Sequence, residues 1–243
     1  MPRLEACLRV YLEAAKEGRA VQSARCPPER VVTRAVGRPQ RVATPDTPAD
    51  GKNLYADNIA YMDKLVGKVV AELDRLDLRE RTLIVFSVDN GTPGSKATVG
   101  GKKILGAKGS MLEGGSRVPL IAHWKGTTPA GKVSKDMVDF SDMFPTFVEV
   151  AGAKPPEGVK IDGRSFAPQL RGQPGKPREW VFVQLGENRY VRDARWKLTG
   201  KDQLFDLKDA PFQEIAADDK DADAGAARKR LKAVLDDLQA NKP

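Results

Sequence analysis

The residues best equipped for chemistry lie between positions 86 and 119. Asp89 and Asn90 follow directly on an apolar run over 82–88, where a strand should end. Open α/β sheets bind ligands in the crevice beyond the carboxyl ends of their strands. Two adjacent oxygen donors in that place suit a hard divalent cation, Ca²⁺ or Mg²⁺, provided other segments bring further oxygens. Asp-Asn-Gly is also a favoured turn sequence, so spacing by itself leaves both readings open. Downstream, Gly100, Gly101, Gly106 and Gly109 surround Lys102, Lys103 and Lys108. Such a loop lets backbone amides and an ammonium approach an anion, although the GxxxxGK[ST] spacing of a P-loop is unmatched. Solvated lysines on a flexible loop would give the same pattern. Glu113-Gly114-Gly115-Ser116-Arg117-Val118-Pro119 follows, and its Glu or Arg could position the loop through an ion pair.

For these groups to meet, ordered elements must bring them together. The run 82–88 is continuously apolar and β-branched, which fits a strand buried on both faces of a parallel sheet. Before it, Tyr55, Ile59, Met62, Val66, Val69, Leu73 and Leu76 recur at alternating intervals of four and three, a stripe that predicts a long core-facing helix. A second short strand is expected over 118–124, and a helix over 142–150 that stops at Gly152. Helix, strand, loop, strand, helix is α/β order. After Gly163 the texture changes. Strand candidates at 180–185, 189–192, 195–199 and 203–207, separated by Gly186, Asn188, Asp193, Gly200 and Asp202, predict a small antiparallel meander. Leu231, Val234, Leu235 and Leu238 then share one face of a final helix over 226–238 that would cap it. Residues 1–50 read as an Arg- and Pro-rich leader, 51–165 as the α/β part, and 166–243 as the antiparallel-sheet subdomain with its terminal helix.

The chain of 243 residues and 26.5 kDa is long enough to bury a sizeable core. Its net charge of +8 invites a polyanion reading, but 41 basic residues are interleaved with 33 acidic ones. There is no tract of five consecutive Lys/Arg and no aromatic-basic alternation, which argues against nucleic acid as the partner. A basic surface with a small anionic substrate fits the same charge. No apolar run reaches the roughly 18 residues of a membrane span. Arg3, Glu5, Arg9, Glu13 and Lys16 interrupt any secretory signal. Cys7 and Cys26 stand 19 residues apart with no CxxC or Cys/His cluster, so neither a disulfide framework nor a structural zinc site is expected. His123, the single histidine, argues against a His-based triad and suits a structural or surface role.

Together, Asn58-Ile59-Ala60-Tyr61-Met62-Asp63, Phe86-Ser87-Val88-Asp89-Asn90-Gly91, and the stretch from Ala107-Lys108-Gly109-Ser110 to Val118-Pro119 resemble the C-terminal half of type I sulfatases. These are the arylsulfatases of the alkaline-phosphatase-like superfamily. Asp142-Met143-Phe144-Pro145-Thr146, Asp162-Gly163-Arg164-Ser165-Phe166, Arg195-Trp196-Lys197-Leu198 and Leu204-Phe205-Asp206-Leu207 continue in family order, and the resemblance covers residues 44–240. It implies an α/β fold: a partial alkaline-phosphatase-like sheet domain, followed by a small C-terminal antiparallel sheet with a terminal helix. By position it implies that Asp89 and Asn90 bind the active-site Ca²⁺, with Mg²⁺ as the alternative. It also implies that Lys108 contacts the sulfate of a small substrate, an aryl sulfate or a sulfated carbohydrate. A lysine beside a bound cation neutralises sulfate oxygens and stabilises the charge that develops as the S–O bond breaks.

The family's N-terminal half is not recognisable: neither the strand ending in paired aspartates nor the C/S-x-P-S-R segment that yields the formylglycine nucleophile. Cys26-Pro27-Pro28-Glu29-Arg30 has C-x-P-x-R spacing, but Glu29 replaces the Ser and Asp89 follows only 63 residues later. No catalytic residue is therefore assigned, and Cys26 is read as a coincidence. The expectation is part of a sulfate-ester hydrolase that does not turn over substrate alone, because electrostatic contacts cannot replace a covalent step. One alternative is a non-catalytic domain that binds anions or a partner chain covering an exposed sheet edge. The other is a phosphoester or phosphonate hydrolase of the same superfamily. Family members are often periplasmic or secreted, whereas the start of this chain offers no signal peptide.

Overall fold

The computed structural model describes residues 45–46, 54–94, 96–99, 101–218 and 220–240. The expected leader, Cys26 included, lies outside the described residues apart from Pro45 and Asp46. The chain divides into two compact units. One holds the described residues up to Ile84 together with His123–Thr127; the other holds Val85–Ala122 and the described residues from Thr128 onwards.

In the first unit the apolar stripe forms helix α1 (Leu54–Arg75). Asp77 adopts a left-handed conformation (φ 58°) just after it, and Leu78 N–H donates to the Leu73 carbonyl at 2.9 Å, which turns the chain back on the helix. Leu73, Leu76 and Leu78 are buried together, with Val69 and Ile84 against them. The sequence predicts a stripe facing the core along its whole length, but Ile59 and Met62 are exposed. Periodicity marks which face is apolar, and here only the last turns of that face find apolar partners among the described residues.

Strand β1 (Leu83–Ser87) follows and pairs with β4 (Leu120–Trp124) in a two-stranded sheet. Every residue of β1 is half-buried, so the expectation of a strand buried on both faces is corrected. Burying both faces needs flanking strands and covering layers, and among the described residues β1 has one partner strand. The Gly-rich stretch expected as a loop holds a hairpin, β2 (Lys96–Val99) with β3 (Lys102–Leu105), in the register Lys96↔Leu105 to Val99↔Lys102. The turn needs the positive φ of Gly101 (79°).

Helix α2 is a single turn, Glu113–Ser116. A 3₁₀ turn at Phe140–Asp142 leads into α3 (Met143–Val150), and α4 is short, Ala167–Leu170. Asp142 is the hub here. Its buried carboxylate accepts from the Arg164 amide at 2.6 Å, from the Asp139 amide at 2.8 Å, and from Arg178 Nε at 2.8 Å to both oxygens. These bonds hold the 162–178 segment, irregular apart from α4, against α3.

The meander forms as predicted, in sequential order: β5 (Val181–Leu185), β6 (Asn188–Arg192), β7 (Trp196–Thr199), β8 (Leu204–Asp206) and β9 (Ile215–Ala216). The last strand is only two residues long, too short to announce itself by alternation. Helix α5 (Ala222–Ala240) packs on β6, β7 and β8. Ala224, Ala227, Leu231 and Leu235 are buried with Val191, Trp196, Leu198 and Leu204, while Val234 and Leu238 pack at the margin. Each fully buried leucine contributes roughly 2 kcal/mol by removal from water. The architecture is α/β followed by an antiparallel sheet and a terminal helix.

Candidate functional site

Asp89 and Asn90 lie in the turn that leaves β1; Asp89 is exposed and Asn90 half-buried. Asn90 Nδ2 donates to Asp89 Oδ2 at 2.6 Å, which engages neither the Asn90 side-chain oxygen nor the second Asp89 oxygen, so both can coordinate a cation or accept a hydrogen bond. Ser87 Oγ donates to the Pro119 carbonyl at 2.9 Å, tying the strand end to the chain beyond α2.

Three stretches of backbone stack here. Gly91 N–H donates to the Gly115 carbonyl, and Ala107 N–H to the Gly114 carbonyl, both at 2.9 Å. The approach is closer than any side chain permits. A Cβ at Gly91 would lie 1.8 Å from the Gly114 oxygen, and one at Gly114 would lie 2.0 Å from the Leu105 oxygen. The glycines therefore act by absence of volume rather than by flexibility. Lys108 directly follows Ala107 and is exposed, with Gly109 in the left-handed region (φ 82°) next to it. So the turn carrying Asp89 and Asn90 and the loop carrying Lys108 hang on the same helical turn, α2.

That helical turn is held in place by charge. The Glu113 side chain is 2% exposed, and its carboxylate accepts from Arg192 Nη1 at 2.6 Å. Its backbone N–H donates to Glu214 Oε1 at 2.8 Å. Lys197, equally buried, donates to Glu214 Oε2 at 2.5 Å and to the Met111 carbonyl at 2.7 Å, and its Nζ sits 4.6 Å from the centre of the Tyr190 ring. Ser116 Oγ and Tyr190 Oη are 2.6 Å apart. Burial pushes the Tyr190 phenol up to about 12, with the Ser116 hydrogen bond pulling the other way. Sequence reasoning assigned no role to Arg192, Lys197, Glu214 or Tyr190. The one available signal was Lys197, a cation between Trp196 and Leu198 in a strand that is buried at all three positions.

His123 is exposed on β4, in the other unit from Asp89 and Lys108. A cleft of about 580 Å³, lined by Glu149, Arg164, Pro168 and Lys176 among others, lies along α3 and α4 rather than at the strand end. Among the described residues no group of three or more His, Cys, Asp or Glu side chains converges as a metal site. Asp89 and Asn90 have the right donor chemistry for a hard cation and supply only part of its six to eight oxygens.

Comparison with known proteins places these features in context. The family model described as Sulfatase matches residues 22–153, starting inside the Arg- and Pro-rich segment, and that described as N-sulphoglucosamine sulphohydrolase, C-terminal, matches residues 102–241. Human arylsulfatase D is 36% identical over 151 residues, 59% of this chain and 25% of that protein. A protein solved in complex with its substrate D-glucosamine-2-N,6-O-disulfate superposes with a TM-score of 0.59 at 23% identity, covering 75% of this chain and 39% of its own. The phosphonate monoester hydrolase from Silicibacter pomeroyi superposes with a TM-score of 0.55 at 24% identity, over 74% of this chain and 39% of its own. The two superpositions speak for the fold alone. The chain spans about a quarter of the length of the curated relatives it matches.

Proposed function

This chain belongs to the sulfatase family, and from that premise we propose that it forms part of a site hydrolysing sulfate esters of small molecules or carbohydrates. The observation that carries the reading is the shared anchor: Gly91 and Ala107 both hydrogen-bond to the Gly114-Gly115 backbone, so the strand-end turn and the Lys108 loop belong to one construction. In this reading Asp89 and Asn90 hold a divalent cation, Ca²⁺ ahead of Mg²⁺, through oxygens suited to a hard ion. Such a cation supplies Lewis-acid polarisation of a sulfate oxygen when bound. Lys108, exposed and without an ion-pair partner among the described residues, binds a sulfate oxygen and compensates the negative charge of the departing group. The described residues contain no C/S-x-P-S-R segment, so a formylglycine nucleophile for the covalent step has to come from outside them. On its own, the chain is expected to bind rather than turn over.

Calorimetric titration of the purified chain with CaCl₂ and then with sodium sulfate tests this. Ca²⁺ binding lost in Asp89→Ala, and sulfate binding lost in Lys108→Ala, are the expected results. A wild type that binds neither ion would overturn the reading. Hydrolysis of an aryl sulfate by the chain alone, abolished by either substitution, would overturn the view that it lacks a nucleophile.

A second reading, a phosphorus-centred ester in the same site, is consistent with the fold shared with a phosphonate monoester hydrolase. Parallel titrations with phenyl sulfate and phenylphosphonate separate the two, since the primary reading requires the sulfate to bind more tightly.

A further inference from the structure

The charged groups of the C-terminal sheet lie far along the chain from Asp89, Asn90 and Lys108, yet they converge on the one turn that supports both ligand segments. Arg192 on β6 reaches Glu113 across 79 residues of sequence, and Glu214 accepts the Glu113 backbone N–H across 101. Lys197 on β7 reaches the Met111 carbonyl across 86. Through α2 this grip extends to Gly91 and Ala107, whose amides donate to the carbonyls of Gly115 and Gly114. Burial of Glu113 and Lys197 gives the arrangement its weight. An ion pair removed from water stabilises the fold only when its hydrogen bonds are complete, and breaking one partner leaves a costly uncompensated charge. An apolar contact would hold α2 as firmly with less risk, but it would not set direction. A guanidinium and an ammonium fix a carboxylate and a carbonyl in angle as well as distance.

We propose that the Arg192–Glu113 and Lys197–Glu214 pairs are positioning elements of the candidate site, through which the five-stranded sheet sets the placement of the Asp89–Asn90 turn and the Lys108 loop. Its functional consequence rests on the proposed sulfate-binding reading, and its structural content does not. Arg192, Glu113, Lys197 and Glu214 act through the backbone of α2, and none of them is assigned contact with substrate.

Amide hydrogen exchange of the full chain, followed by NMR, reads this directly. In the wild type, Gly91 and Ala107 are expected to exchange only when the β6 and β7 amides do, as one cooperative unit. Their exchange well ahead of that sheet would overturn the proposal. In Arg192→Met the Gly91 and Ala107 amides should exchange about tenfold faster relative to the β6 and β7 amides of the same variant. Arg192→Lys, which keeps a second cation on Glu113 beside Arg117 at 3.5 Å, should restore most of that protection. A purely structural role would accelerate all these amides together and would also overturn the proposal. Glu214→Gln, a milder change, provides the same comparison if Arg192→Met does not fold, and Lys232→Ala on the exposed face of α5 should change nothing. Titration with CaCl₂ and sodium sulfate then separates the two readings. Arg192→Met should weaken both ions together, whereas Lys108→Ala weakens sulfate alone. If the wild type binds neither ion, the sulfate-binding reading fails while the exchange data still decide the positioning role.

Discussion

Ser116 Oγ and Tyr190 Oη lie 2.6 Å apart, joining the last residue of α2 to the middle of β6 across 74 residues of sequence. Because burial raises the Tyr190 phenol from 10.0 to about 12, the folded state favours the neutral hydroxyl. A group whose folded value is raised contributes stability that is complete below its unfolded value. That stability is lost as pH climbs from about 10 to about 12 and amounts to something on the order of 2 kcal/mol. Urea unfolding at pH 9 and pH 12 should show this loss in the wild type and not in Tyr190→Phe. Parallel pH dependence of the two proteins would refute it.

Arg178 Nε lies 2.8 Å from both carboxylate oxygens of Asp142, and both side chains are buried. The same carboxylate also takes the Arg164 and Asp139 amides, so its loss strands three donors. Arg178→Met should cost about 3 kcal/mol of stability by leaving the Asp142 charge unpaired. The double variant Asp142→Asn with Arg178→Met should recover part of that loss, as a double-mutant cycle from denaturation midpoints would reveal.

Gly91 and Gly67 should respond in opposite directions to alanine. At Gly91 the new Cβ would sit 1.8 Å from the Gly114 oxygen, so backbone must move, and a loss on the order of 2 kcal/mol is expected. Gly67 lies within α1 with nothing within 4 Å of its would-be Cβ. There Ala should stabilise by about 0.5 to 1 kcal/mol through helix propensity. Thermal melting of the two variants checks both signs at once.

Leu231, 1% exposed, is the centre of the contact between α5 and the sheet. Leu231→Ala should cost about 3 kcal/mol from lost burial plus a residual cavity. Its neighbour Lys232 forms an exposed pair with Asp236 at 3.0 Å, and Lys232→Ala should stay within about 0.5 kcal/mol. Equal losses in the two variants, measured in urea, would show that α5 is not anchored by its apolar face.

The meander and its helix were legible because their signals are local. Turn residues recur between short strands, and Leu231 and Leu235 repeat at helical spacing on α5. Strand β9 is not legible because two residues carry no period, nor is hairpin β2–β3, whose four-residue strands between Gly94, Gly100, Gly101 and Gly106 are too short for a clear alternation. The stripe on α1 predicted a helix correctly and its burial only in part, since Ile59 and Met62 stay exposed.

Sequence by itself determined the longer elements, the family, and the chemical types of Asp89, Asn90 and Lys108, because residue identity and short-range spacing are properties of the chain. The structure decided that Gly114-Gly115 supports both Gly91 and Ala107, and that Glu113 meets Arg192 while Lys197 meets Glu214. Those pairings depend on strand order and register. A buried charge finds its partner through topology, across distances along the chain at which sequence periodicity no longer carries information.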